Sequence, residues 1–204
     1  MPIAEGEDWG EPAPVPAGAV AVASDAAARD ELEASRRRSE PLPELVLTGG
    51  DLHRTLGGSR SEARLRAEGA TRVRCDLGVA LCDGVVGLFI AHLVIGGHFL
   101  SGRTTAVCNA SFVGRANLAP RAHPGDGLFD VIEADLPLRQ RMLAWGRLPS
   151  GSHIPHPGIT SRRTSHRQFG FSGRGRPVRL DGAAIGLVRS LSVRVEPAAV
   201  SVYV

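Results

Sequence analysis

The chain has 204 residues, 43% of them hydrophobic, and a formal net charge of +3, enough to bury one good core with at most a small appendage. All 24 basic residues are arginine, which excludes mechanisms that need a P-loop or Schiff-base lysine and leaves phosphate recognition to arginine and backbone N–H groups. Aromatic residues make up only 4% of the chain and do not interleave with arginine, so no nucleic acid is expected as a partner.

The chain opens acidic and proline-rich, MPIAEGEDWGEP, unlike a signal peptide. No apolar run reaches the ~20 residues of a membrane span, so the expected location is cytoplasmic. Residues 19–23 read as a short buried strand, and Ser24-Asp25 caps a helix running to about Arg38. Glu33 and Arg37 lie one turn apart, and Arg36-Arg37-Arg38 stand where the helix dipole favours positive charge. Pro41 and Pro43 stop the helix, and Leu45-Val46-Leu47 makes a second strand, completing a strand, helix, strand unit with parallel strands. Next comes Thr48-Gly49-Gly50-Asp51. A glycine pair between a strand and a short helix either makes a turn capped by Asp51 or presents free N–H groups to an anion.

Residues 59–70 are polar and charged and read as an exposed helix or linker. Val73, Cys75 and Leu77 then alternate with Arg72, Arg74 and Asp76, Cys82-Asp83-Gly84 is a hairpin turn, 85–95 is one apolar strand, and 104–110 is another. Cys75, Cys82 and Cys108 have no C-x-x-C spacing and form an odd set, so neither zinc nor a disulfide framework is indicated.

In LAPRAHPGDGLFDV, residues 118–131, the prolines and glycines forbid a helix and Asp126-Gly127 turns the chain into a strand. Asp126 either caps its own turn or offers a carboxylate, among backbone carbonyls, to a hard cation such as magnesium or calcium. Residues 138–145 read as a helix. His153 and His156 are three apart but have too few ligating companions for a metal site. The arginines of residues 162–179 are a solvated face or a surface for phosphate or an anionic membrane. Leu191, Val193 and Val195, then Pro197-Ala198-Ala199, then Val200, Val202 and Val204 read as a closing hairpin. The expected fold is mainly β, a β-sandwich over residues 72–204, preceded by a small α/β part at 1–71.

Asn109, Leu118-Ala119-Pro120 and the run from Pro124 to Val131 resemble the segment that opens the second domain of the diacylglycerol kinase family. These are bacterial lipid kinases related to sphingosine kinases and more distantly to NAD kinase. The resemblance implies a second domain shaped as the NAD-kinase-like β-sandwich. It also implies a magnesium ion held by Asp126 and the main-chain oxygens of Leu128 and His123. Thr48-Gly49-Gly50-Asp51 with Arg54 is similar to the family's Gly-Thr-x-Asn-Asp-Phe-Ala-Arg motif, with Gly50 in place of the Asn. That likeness makes Thr48, Gly49, Gly50 and Asp51 the implied contacts to ATP. The family's upstream Gly-Gly-Asp-Gly-Thr loop is not found, and fewer than fifty residues precede Thr48, so 1–71 reads as a truncated remnant of the nucleotide-binding lobe.

Leu180-Asp181-Gly182 matches the Leu-Asp-Gly-Glu motif whose Glu is the family's proton acceptor, but here the fourth residue is Ala183. Loss of a positioned base typically removes a factor of ~10² to 10⁴ in rate, and Asp181 is the one candidate substitute. The expectation is a degenerate, non-catalytic lipid-kinase-like protein that binds a lipid head group, a phosphate ligand or a protein partner. Self-association through surface left by the lost lobe, and peripheral contact with a membrane, go with it. The alternative is an ATP- and magnesium-dependent lipid kinase acting on a diacylglycerol-like hydroxyl, completed by a second chain.

Overall fold

After the short strand β1 (Glu11–Ala13), the chain forms β2 (Val20–Val22), helix α1 (Asp25–Arg37), β3 (Leu45–Leu47), α2 (Asp51–Thr55) and α3 (Glu62–Glu68) in a computed structural model. That structure describes residues 10–58, 61–96, 103–137, 139 and 158–204. Ser24 starts α1 with its hydroxyl accepting from the Ala27 N–H at 3.2 Å, and the helix buries Ala28 and Leu32. β2 and β3 run parallel, as the strand, helix, strand pattern predicts. Residues 59–70 contain a true helix, α3, anchored by the buried Leu65.

Then come β4 (Ala70–Cys82), β5 (Val85–Phe89), β6 (His92–Ile95), β7 (Thr104–Cys108), the ribbon β8 (Phe112–Val113) with β9 (Ala116–Asn117), and β10 (Phe129–Ala134). β11 (Ile159–Thr164), β12 (His166–Gly170), β13 (Arg176–Leu180), β14 (Ala183–Val188) and β15 (Ser190–Tyr203) complete the chain. The first sheet has the order β1-β4-β15-β3-β2, with β5 added to β4 and β12 to β15. The second is antiparallel, β11-β10-β7-β6-β13-β14. Phe89 of the first sheet meets Phe129 of the second with ring centroids 5.2 Å apart, inside a core shared with Leu93, Val107, Val178 and Leu191. This is the mainly β sandwich with a small α/β part that the sequence leads one to expect. β3 pairs parallel with β15, so the strands of residues 1–71 share a sheet with those of 72–204.

Two expected elements are different. Residues 85–95 are two strands, because the chain turns at Ile90-Ala91 and aims three successive N–H groups at one carboxylate. The C-terminus is one strand, not a hairpin: both halves of β15 pair antiparallel with β4, from Leu191↔Cys82 to Tyr203↔Arg72, with an irregularity between Glu196 and Val200. Ala198 takes a φ of 48° there and its N–H donates to Asp76 at 2.7 Å. The apolar residues change from odd to even numbers because a different face is covered in each half. Leu191 and Val193 face the second sheet, whereas Val200 and Val202 face α1 and its neighbours. The expected helix over 138–145 and the pair His153 and His156 lie outside the described residues, Arg139 apart. Among the described residues no helix is long and apolar enough to cross a membrane.

Candidate functional site

The turn after β3 presses against β2 and α1. A side chain on Gly49 would put its Cβ 2.5 Å from the Ala23 carbonyl oxygen, and Gly50 takes a φ of 101°. Thr48 is tied down as well, its hydroxyl donating to the Val22 carbonyl at 3.1 Å. The N–H groups of Asp51 and Leu52 donate to the two oxygens of Asp25 at 2.6 and 3.1 Å. Asp51 in turn accepts from the Gly114 N–H at 2.7 Å in the β8–β9 turn. Its other oxygen stands 3.8 Å from Nδ1 of the buried His92. Burial pushes the Asp25 carboxyl up and the His92 imidazole down, the latter against the pull of Asp51 and Asp25.

Asp181 sits at the β13–β14 turn with a φ of 45°. Its carboxylate accepts from the N–H groups of Ile90, Ala91 and His92 at 2.8, 2.9 and 2.9 Å, and burial pushes it up to about 7. Arg29 of α1 donates to the Leu180 carbonyl at 2.7 Å, which pins that helix to the same turn. His92 thus joins the two predicted groups, its backbone on Asp181 and its ring near Asp51. Ala183 opens β14 beside them.

The predicted cation loop forms a second cluster. The Asp126 N–H points back to the His123 carbonyl at 3.4 Å. One Asp126 oxygen accepts from the Leu128 N–H at 2.9 Å and the other is paired with Arg163. Two acids that the sequence reading did not single out stand nearby. Asp76 accepts from the N–H groups of Gly127 and Ala198 at 2.6 and 2.7 Å, and burial pushes it up to about 6. Asp130 is also pushed up to about 6 by burial, against the pull of Arg163. Its Oδ2 has no hydrogen bond and lies 3.9 Å from Arg163 Nε. Asn109 links the clusters, its amide donating to the Asp76 and Ile90 carbonyls at 2.9 and 2.8 Å. Among the described residues no group of three or more His, Cys, Asp or Glu is arranged to hold a metal ion.

Asp25 and His92 are the residues of this region that sequence reasoning missed as site residues. Asp25 had a usable signal, a carboxylate at a helix start next to a strand whose parallel neighbour ends in a glycine turn. His92 had none, being hidden in an apolar run.

A six-stranded antiparallel sheet packed on a mixed one, with acidic side chains gathered where β3 and β13 end and β6 begins, defines a two-sheet β-sandwich domain. The family model of the YegS C-terminal NAD kinase beta sandwich-like domain matches residues 18–204. The chain belongs to that family. Among solved structures, it is similar to a proposed diacylglycerol kinase from Bacillus anthracis str. Sterne, with a TM-score of 0.66 and 12% identity over 91% of this chain and 77% of that one. A second structure so described from the same organism gives 0.60 and 13%, over 79% and 69%. A diacylglycerol kinase structure, again from that organism, gives 0.55 and 15%, over 79% and 66%. Among proteins with curated descriptions, none matches the sequence.

Proposed function

We propose that this chain is a non-catalytic lipid-kinase-like protein that binds a lipid head group, a phosphate ligand or a protein partner. One observation carries the reading: the N–H groups of Asp51 and Leu52, where the family resemblance puts a nucleotide, are held by the Asp25 carboxylate. An incoming phosphate meets a negative charge there rather than open donors. Ala183 supports the same reading, since a methyl group takes no proton. Asp181, the one substitute, already serves three backbone N–H groups with its oxygens, which ties it to the β5–β6 turn rather than to a substrate.

The residues at Asp126 do not fit a resident magnesium ion. A hard cation needs several free oxygen ligands, and here one carboxylate oxygen serves the Leu128 N–H while the Arg163 guanidinium supplies the positive charge. Exposed Ile185 and Leu187 on the edge strand β14 support contact with a protein partner or a second copy.

Calorimetric titration with magnesium-ATP, together with transfer of labelled γ-phosphate to diacylglycerol in mixed micelles, tests the reading. No heat and no labelled lipid are expected. Turnover by the purified chain that disappears in Asp51→Ala would overturn it in favour of an ATP-dependent lipid kinase.

A further inference from the structure

Among the described residues, the switch of buried face along β15 leaves one region of the first sheet uncovered. At the β3 end, the face turned away from the second sheet is covered by α1 and α2. At the other end, where β5, β4, β15 and β12 lie side by side, α1 forms only one wall. A groove of about 640 Å³ remains between that helix and β12, within the range of small-ligand sites.

Its floor is apolar: Val79 and Leu81 of β4 and their cross-strand partners Leu88 and Val86 of β5. Leu81 and Val86 remain 43% and 63% exposed, unusual for large apolar side chains on a sheet face between two flanking elements. The rim is basic. Arg36 and Arg37 come from the last turn of α1, Arg194 from β15 and Arg167 from β12. Two carboxylates share the lining, and both are already used. Glu196 pairs with both Arg36 and Arg194, and Glu33 accepts from the Leu88 N–H at 3.1 Å while standing 3.7 Å from Arg37. Four arginines against two acids leave a surplus of two positive charges over an apolar floor.

We infer that this groove binds a single-chain amphiphile with an anionic phosphate or carboxylate head, the chain on the strand floor and the head among the arginines. The apolar floor alone does not distinguish a lipid from a second copy of the chain. The charge surplus does, because a second copy would bring the same surplus and repel. The recess between α1 and β12 favours one inserted molecule over a flat membrane surface. The inference rests on the reading of this chain as a binding protein.

The probe is dodecyl phosphate below its micellar concentration, titrated by calorimetry, with inorganic phosphate and dodecyltrimethylammonium as controls. Dodecyl phosphate should bind at least a hundredfold more tightly than either control. Val86→Glu, at an exposed position, should keep the wild-type melting temperature and weaken binding at least tenfold. Arg194→Glu should do the same, and Arg194→Lys should restore most of the affinity. Equal binding of the ammonium amphiphile, or unchanged binding in Val86→Glu, would overturn the inference. So would a wild-type dimer that Val86→Glu dissociates, or sedimentation with phosphatidylglycerol vesicles without binding of the monomeric probe. Labelled-phosphate transfer measured on the same samples reports separately on the non-catalytic reading, so the two can fail independently.

Discussion

Replacing Asp181 separates a structural carboxylate from a catalytic one. In Asp181→Gly the positive φ of 45° becomes free of strain, but the buried N–H groups of Ile90, Ala91 and His92 lose their acceptor. A stranded buried donor costs ~1–3 kcal/mol, and partial entry of water into the vacated space keeps the total near the lower end, about 3–6 kcal/mol. For a chain of this size each kcal/mol lowers the melting temperature by ~2–4 °C, so a fall of about 6–24 °C is expected. Asp181→Ala should fall a little further, because Ala adds ~1 kcal/mol of left-handed strain. Asp181→Asn keeps one oxygen for two of the donors and turns its amide against the third, so it should lie between wild type and Gly. Differential scanning calorimetry at pH 7 provides the measurement. A melting temperature within about 2 °C of wild type in Asp181→Gly, less than the shift from one lost kcal/mol, would refute the assignment of these bonds and return Asp181 to the list of proton acceptors.

Stability should depend on pH in a direction set by burial. Asp76 and Asp130 are pushed up to about 6 and Asp181 to about 7, against ~4 for an unfolded carboxyl. These three carboxyls therefore hold more protons in the folded state than in the unfolded between these values, so their contribution to stability falls as pH rises across that window and levels off above it, partly offset by the buried His92, which acts in the opposite sense. Urea midpoints at pH 5, 6, 7 and 8 should decrease in that order, and Asp130→Asn should flatten the slope below pH 6. Adding magnesium or EDTA should leave the wild-type melting temperature unchanged. Arg163→Ala, by contrast, should lose about 1–2 kcal/mol, an amount discounted because Arg163 is 43% exposed, and should regain part of it with millimolar magnesium in the same thermal scan. Gly175→Ala should cost at least ~2 kcal/mol, since φ is 81° and the new Cβ would lie 2.5 Å from the Val188 carbonyl oxygen. Gly170→Ala, with open space and an ordinary φ, should stay within ~0.5 kcal/mol by chemical denaturation.

Local patterning carried most of the fold and little of the site. The parallel pair β2 and β3, the hairpin at Asp83-Gly84 and the alternation of Val73, Cys75 and Leu77 were legible because each depends on neighbours in sequence. The closing strand was misread because parity alone cannot separate a reversal of the chain from a change in which face is covered. The two partners that distinguish these cases, sheet and helix, are remote in sequence. Asp126 and Asp51 were legible because each stands beside a glycine in a turn, and Asp181 through its likeness to the family's Leu-Asp-Gly-Glu motif. Their partners Asp25, Asp76, Arg163 and His92 were not, since contacts such as Asp25 to Leu52 or Asp126 to Arg163 span tens of residues.

Four acids of this domain share one task, visible only when their donors are assigned together. Asp25 holds the start of α2, Asp76 joins the turn before β10 to the irregularity in β15, Asp83 holds the N–H groups of Arg189 and Ser190, and Asp181 holds the β5–β6 turn. Each sits where the chain changes direction and backbone donors would otherwise be left without a strand partner. A carboxylate used this way gains most when it stays in place, whereas a general base gains by exchanging a proton with something that leaves. The same side chain cannot be optimised for both. The geometry thus gives Asp25, Asp51 and Asp181 a structural use of their own: the fold needs their oxygens whether or not any phosphate is transferred.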